Sequence, residues 1–151
     1  MKNKPNFSKE NLLSYFEERF GIKRNHFSSF EFYEGEKGRI CIGPRSILPS
    51  ISIHLVGISL ARTDSSIKPS SNSIQLLGKY ATKNTLLVTK KQALSFLKGE
   101  DITIEKNYQK GISDGAVIVI YSNIVLGCGL LKEGSIKSTL QKAKRTEVMF
   151  L

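Results

Sequence analysis

The chain has 151 residues, 40% of them hydrophobic and 24% charged, which suits one globular domain or two very small ones and excludes a disordered polymer. No apolar run approaches the roughly 20 residues that a membrane-spanning helix needs. The net charge of +10 and the pI near 9.7 are those of a protein that meets a polyanion, with nucleic acid the first candidate. Both halves are basic, the second more so than the first. The polar, lysine-rich stretch 1–10 does not read as a signal peptide. Two cysteines make no disulfide framework, so a reducing compartment, the cytoplasm, is expected. Two distant histidines and no Cys-x-x-Cys argue against a metal site.

In chain order, Ser8 caps a predicted helix from Lys9 to Phe20, with Phe7 and Leu12 placed as a hydrophobic staple. Leu12, Leu13, Phe16 and Phe20 share its apolar face, and Gly21 ends it. Phe30–Tyr33 and Arg39–Ile42 read as a hairpin around a glycine-containing turn at Glu34–Gly38. Alternation over Ile51–Leu55 and the following Val56-Gly57-Ile58 predicts a strand across Ile51–Leu60, bent at Gly57. The serine-rich stretch Arg62–Ser73 reads as a loop or linker and marks the best domain boundary, giving units 1–73 and 74–151. A helix is predicted over roughly Asn72–Thr82 and a short strand over Thr85–Val88. Thr89 and Gln92 stand at capping-box spacing and open a helix with Ala93, Leu94 and Leu97 on its apolar face, Phe96 beside it, and Gly99 as its stop. Ile102–Ile104 is a short strand, and Glu105–Gly115 a polar loop. Ala116–Tyr121 and Ile124–Leu131 form a hairpin around Ser122-Asn123. Lys132–Arg145 reads as a basic, mobile connection before a last strand, Thr146–Leu151. Short strands with a few helices between them predict an α+β protein: a small α/β N-terminal unit, then a mixed β barrel with flanking helices.

The second half resembles the PUA domain, an RNA-binding pseudobarrel. The resemblance rests on the strand Thr85–Val88, the helix end Leu97-Lys98-Gly99-Glu100, then Gly115-Ala116-Val117-Ile118-Val119 and Val125-Leu126-Gly127-Cys128-Gly129. Two branches of that family are similar. One is the two-domain Nip-type ribosome-biogenesis factors, which residues 1–55 resemble only in length and in their helix-then-hairpin layout. The other is the PUA-like C-terminal region of rRNA cytosine-5 methyltransferases. That region's Lys-Pro, Gln-x-x-Gly, Phe-Leu-x-Gly-Glu and Gly-x-Gly strings match Lys68-Pro69, Gln75-Leu76-Leu77-Gly78, Phe96-Leu97-Lys98-Gly99-Glu100 and Gly127-Cys128-Gly129. Gly134-Ser135-Ile136-Lys137-Ser138 has Ser138 where the family has Asn. The resemblance implies a fold of PUA type and the binding of structured RNA, rRNA or tRNA, beside ribosome-assembly or RNA-modification proteins.

The residues themselves point away from catalysis. Cytosine-5 methylation needs an exposed, activated thiolate. Cys41 and Cys128 lie in predicted strands, where a buried structural cysteine is the ordinary case, and neither follows a proline. A methyl-donor domain alone would exceed this length. The run from Gly127 to Gly134 has no Gly-Lys-Ser/Thr ending and opens no helix, so its glycines serve strand curvature and close backbone approach rather than a nucleotide. His26 and His54 have no identifiable partner, and Asp64 between Arg62 and Lys68 reads as part of a loop salt bridge. No cofactor or metal is expected, and no enzyme activity.

Two basic clusters are the candidate RNA-contacting residues. The first is Lys79, Lys83, Lys90 and Lys91, with Lys79 and Lys83 four apart on one predicted helical face. The second is Lys132, Lys137, Lys142, Lys144 and Arg145. Such residues supply phosphate contacts, while Tyr80 and Tyr108 are placed to stack on bases and Tyr121 to pack in the sheet. The two clusters are expected on one side of the C-terminal unit. The alternatives are a protein-interaction adaptor with acidic partners, and an accessory subunit of an rRNA methyltransferase.

Overall fold

The computed structural model describes residues 8–44, 57–105 and 111–140. Helix α1 (Lys9–Phe20) starts where Ser8 Oγ accepts from Asn11 N–H at 3.3 Å and ends at Gly21, which is left-handed with φ 67°. Glycine is required there twice over, because a Cβ would also come within 1.9 Å of Thr82 Oγ1. The carbonyl of Phe20 accepts from the backbone N–H groups of Thr82 and Lys83, at 2.8 and 3.1 Å, so the C-terminal end of α1 is tied to the second half of the chain.

Strands β1 (Phe30–Glu34), β2 (Arg39–Pro44), β3 (Ile58–Arg62) and β4 (Lys68–Pro69) form an antiparallel sheet in that order. The hairpin β1–β2 lies where the sequence predicts it. The stretch Arg62–Ser73 is more than a linker: it holds β4, whose Pro69 fits an edge strand, and the start of helix α2 (Ser71–Leu77). Ser70 caps α2 and donates its hydroxyl to the carbonyl of Ser59, while Ser73 Oγ donates to that of Leu60 at 2.9 Å. The α-helix is shorter than periodicity predicts and passes into a 3-10 turn at Gly78–Tyr80.

The second sheet is curled into a half-barrel, with order β5 (Thr85–Leu87), β7 (Gly115–Tyr121), β8 (Ile124–Lys132), β9 (Ser135–Ser138), β6 (Ile102–Thr103). It is mixed: β5 runs parallel to β7, and the other pairs are antiparallel. The expected α+β pseudobarrel with flanking helices is therefore present. Ser122 and Asn123, both at positive φ, make the two-residue turn between β7 and β8. A second tight turn corrects the sequence reading. Glu133 and Gly134, also at positive φ, return the chain into β9, so the start of Lys132–Arg145 is paired strand rather than mobile connection. Ile136 and Leu140 are buried in it; the lysine-rich composition hid two core residues. The predicted staple at Phe7, the strand character of Ile51–Leu55 with His54, Tyr108, and the strand Thr146–Leu151 lie outside the described residues.

The sheet β7–β8 is buried on both faces, which is why its strands read as continuous apolar runs. Ile118 and Cys128 face a core built with Leu12, Phe16 and Phe20 of α1, Ile40 and Ile42 of β2, Leu60 of β3, and Ile74 and Leu77 of α2. Leu13 lies at the margin of that core rather than in it. Val117, Val119 and Leu131 face a second core with Ala93 and Phe96 of helix α3 (Lys90–Lys98). The Thr89–Gln92 capping box and the left-handed Gly99 stop are present as predicted. Phe96, placed by the sequence beside the apolar face, is instead fully buried at its centre, and Leu94 and Leu97 are half-buried.

Candidate functional site

Three of the short strings behind the family resemblance, Gln75–Gly78, Phe96–Glu100 and Gly127–Gly129, converge on one place, the bulge in β8, while Lys68-Pro69 lies in β4. Register slips between Val119 and Ile120, so that Leu126 is the extra residue opposite them. Gln75 Nε2 donates to the Leu126 carbonyl at 2.9 Å. Gly78 lets the chain approach closely, since a Cβ would sit 3.0 Å from Val125 Cγ1. The Phe96 ring lies over Gly127 and Gly129, and a Cβ on Gly129 would stand 2.5 Å from Ile136 Cγ2. These residues build the half-barrel rather than a nucleotide loop, as the glycine spacing predicts.

Both cysteines are buried and free. Burial pushes the Cys128 thiol up to about 11, against the smaller opposing effects of Thr139, Arg19 and a backbone hydrogen bond. Burial also raises Cys41, with Arg39 opposing. A thiol held protonated in a core is the reverse of an activated nucleophile.

The predicted lysines divide. Lys79, Lys83, Lys90, Lys91, Lys132 and Lys137 are all exposed; Lys142, Lys144 and Arg145 lie outside the described residues. Lys79 and Lys83 do not share a helical face, because α2 has ended at Leu77 and Lys79 sits in the 3-10 turn. Lys90 and Lys91 follow β5 beyond Leu87, whose partner is Ile120, next to the 122–123 turn. Lys132 follows Leu131, whose partner is Gly115, at the other end of the same hairpin. At about 3.3 Å per residue those ends are roughly 17 Å apart. The structure thus spaces Lys90 and Lys91 from Lys132 along one sheet, with Lys83, just before Asn84 whose carbonyl accepts from Ile118 N–H, between them.

An aromatic pair accompanies the first cluster. His26, for which the sequence offers no partner, stacks on Tyr80 with ring centroids 3.7 Å apart and planes 11° from parallel. Lys79 Nζ stands 5.0 Å from the Tyr80 ring centroid, within cation–π reach, and Tyr80 remains 39% exposed. The signal for this pair is absent from local sequence, since 53 positions separate the rings. Tyr121 packs in the second core, as expected.

Sequence reasoning also missed Arg19. Its Nε donates to the Ala116 carbonyl at 2.7 Å, and its terminal nitrogens to Ser113 Oγ and Ser113 carbonyl at 2.6 and 2.7 Å. Asn84 closes the cluster by donating to the Arg19 carbonyl at 2.7 Å and accepting from Ser113 N–H at 3.0 Å. This is a clamp between α1 and the start of β7. The predicted loop ion pair is present, Lys68 to Asp64 at 3.8 Å.

Among the described residues no helix is long and apolar enough to cross a membrane. A comparison with curated proteins finds no match. Residues 2–57 match a family of unknown function, DUF7122. Residues 83–146 match the family described as the methyltransferase RsmF PUA domain, which favours the methyltransferase branch of the resemblance. The match supports a PUA-like domain, related to that of rRNA methyltransferases, over those residues.

Proposed function

We propose that the chain binds structured RNA, an rRNA or a tRNA, and serves rRNA maturation or the targeting of RNA modification without itself transferring a methyl group. The observation that carries the reading is the match of residues 83–146 to a methyltransferase's PUA domain, a domain class that binds RNA. The charge of +10, the exposed lysines, and the stacked His26–Tyr80 pair with Lys79 beside it are the chemistry such a role needs. Lysines neutralise phosphates whatever the sequence, and an exposed ring stacks on an unpaired base. Two buried, protonated thiols argue against cytosine-5 chemistry by this chain and suit the cytoplasm. Ribosome-assembly or RNA-modification proteins are the expected companions.

The test is equilibrium binding of the full chain to a structured rRNA fragment and to a tRNA across a salt series. Replacing Lys79, Lys83, Lys90 and Lys91 with Ala should weaken binding to both and lower the salt slope by about one for each phosphate no longer neutralised. Unchanged affinity and slope in a folded quadruple variant would refute this interface. The alternative is an adaptor whose basic surface meets acidic protein partners. Displacement of bound RNA by polyglutamate at equal charge would support the adaptor.

A further inference from the structure

Three cations stand in one row across the first sheet. Arg39 on β2 is the register partner of Arg62 on β3, and Arg62 is that of Lys68 on β4. Residues directly opposite in antiparallel strands share a face and lie about 5 Å apart, and like charges so placed destabilise the pairing. Among the described residues the row holds one ion pair, Lys68 to Asp64, and neither guanidinium has a carboxylate within salt-bridge distance. Asp64 is itself held below the usual carboxylate range, first by the Ser65 N–H, then by Lys68 and, more weakly, by Arg62.

The same three cations line a single cleft of about 550 Å³ with Ser59, Ser70 and Asn72. Ser71 also lines it, with its hydroxyl turned inward and buried beside Gly127. Repulsion left in place beside an open cleft is the arrangement of a site completed by an anion. Two guanidinium forks match the paired oxygens of a phosphate better than single ammonium groups do.

We propose that this cleft is a phosphate site that takes one phosphodiester of the RNA backbone, apart from the lysine clusters. The backbone as source rests on the RNA-binding reading; the anion site itself does not. On the full chain, inorganic phosphate is titrated while the Arg Nε signals are followed by NMR. The salt dependence of binding to a structured rRNA fragment is measured in parallel for the wild type, R39Q/R62Q and R39K/R62K.

The site predicts that phosphate shifts the Arg39 and Arg62 signals. In R39Q/R62Q the salt slope should fall by about two, and R39K/R62K should recover most of it. The R39Q/R62Q variant should melt no lower than the wild type, because relief of repulsion offsets lost packing. Shifted signals with an unchanged RNA slope would make this a site for free phosphate and overturn the backbone assignment. RNA binding by the wild type with neither arginine responding to phosphate would overturn the site and leave the RNA reading standing. A wild type that binds no RNA would overturn that reading, and the backbone with it, while the phosphate titration still decides the site.

Discussion

Phe96 and the two glycines beneath it, Gly127 and Gly129, set how closely α3 lies on β8. Truncating a fully buried phenylalanine costs about 3–5 kcal/mol, so Phe96→Ala should lower stability by that much in urea denaturation. Gly129→Ala should cost about 1–3 kcal/mol, because the new methyl meets Ile136 at 2.5 Å. Loss of less than 1 kcal/mol in both would mean that the ring does not rest on the glycines. A second residue-scale effect concerns pH. Burial raises Cys128 to about 11 and Tyr15 to about 12, so the native fold keeps protons that the unfolded chain releases from ordinary values of 9.0 and 10.0. That stability is complete below about pH 9 and is lost as pH rises through 11 to 12. The denaturation midpoint should therefore fall between pH 9 and 11, less steeply in Cys128→Ala. A midpoint constant to pH 11 would contradict it. The strings Phe-Leu-x-Gly-Glu and Gly-x-Gly were legible separately in the sequence. That one rests on the other was not, because 30 residues lie between Phe96 and Gly127.

At the scale of elements, what was readable is what is local. Ser8, Gly21, the Thr89–Gln92 box, Gly99 and the Ser122-Asn123 turn act through hydrogen bonds or dihedrals within a few residues, and each stands where predicted. Strand β9 was missed because it is four residues long and its one buried apolar side chain, Ile136, stands between Ser135 and Lys137. The row Arg39–Arg62–Lys68 was illegible for another reason: register across a sheet follows from long-range pairing, which no spacing in the sequence encodes. The same holds for the Arg19 clamp, which reaches 97 positions along the chain. Its three charge-assisted bonds join α1 to the start of β7, and losing such bonds costs about 1.5–3 kcal/mol. Arg19→Ala should be destabilised by that amount in urea denaturation, and Arg19→Lys should recover only part, since an ammonium cannot reproduce the fork. Full stability in Arg19→Lys would show that charge alone suffices.

For the whole molecule, the first core is the telling feature. Ile118 and Cys128 of the second sheet are buried against α1, β2 and β3, and α2 packs on both β3 and β8. A fragment of residues 74–151 would expose that face, and it should self-associate or lack a cooperative melting transition, whereas the full chain melts in one. A monomeric fragment with its own sharp transition would support independent units divided at residue 73. Function at this scale rests on where RNA meets the surface. Ultraviolet crosslinking of the full chain to a structured rRNA fragment, read by mass spectrometry, locates that contact directly. Crosslinks at Tyr80 and within residues 79–91 are predicted. Saturable RNA binding with crosslinks confined to other surfaces, or no RNA binding at all, would contradict the interface proposed for this protein.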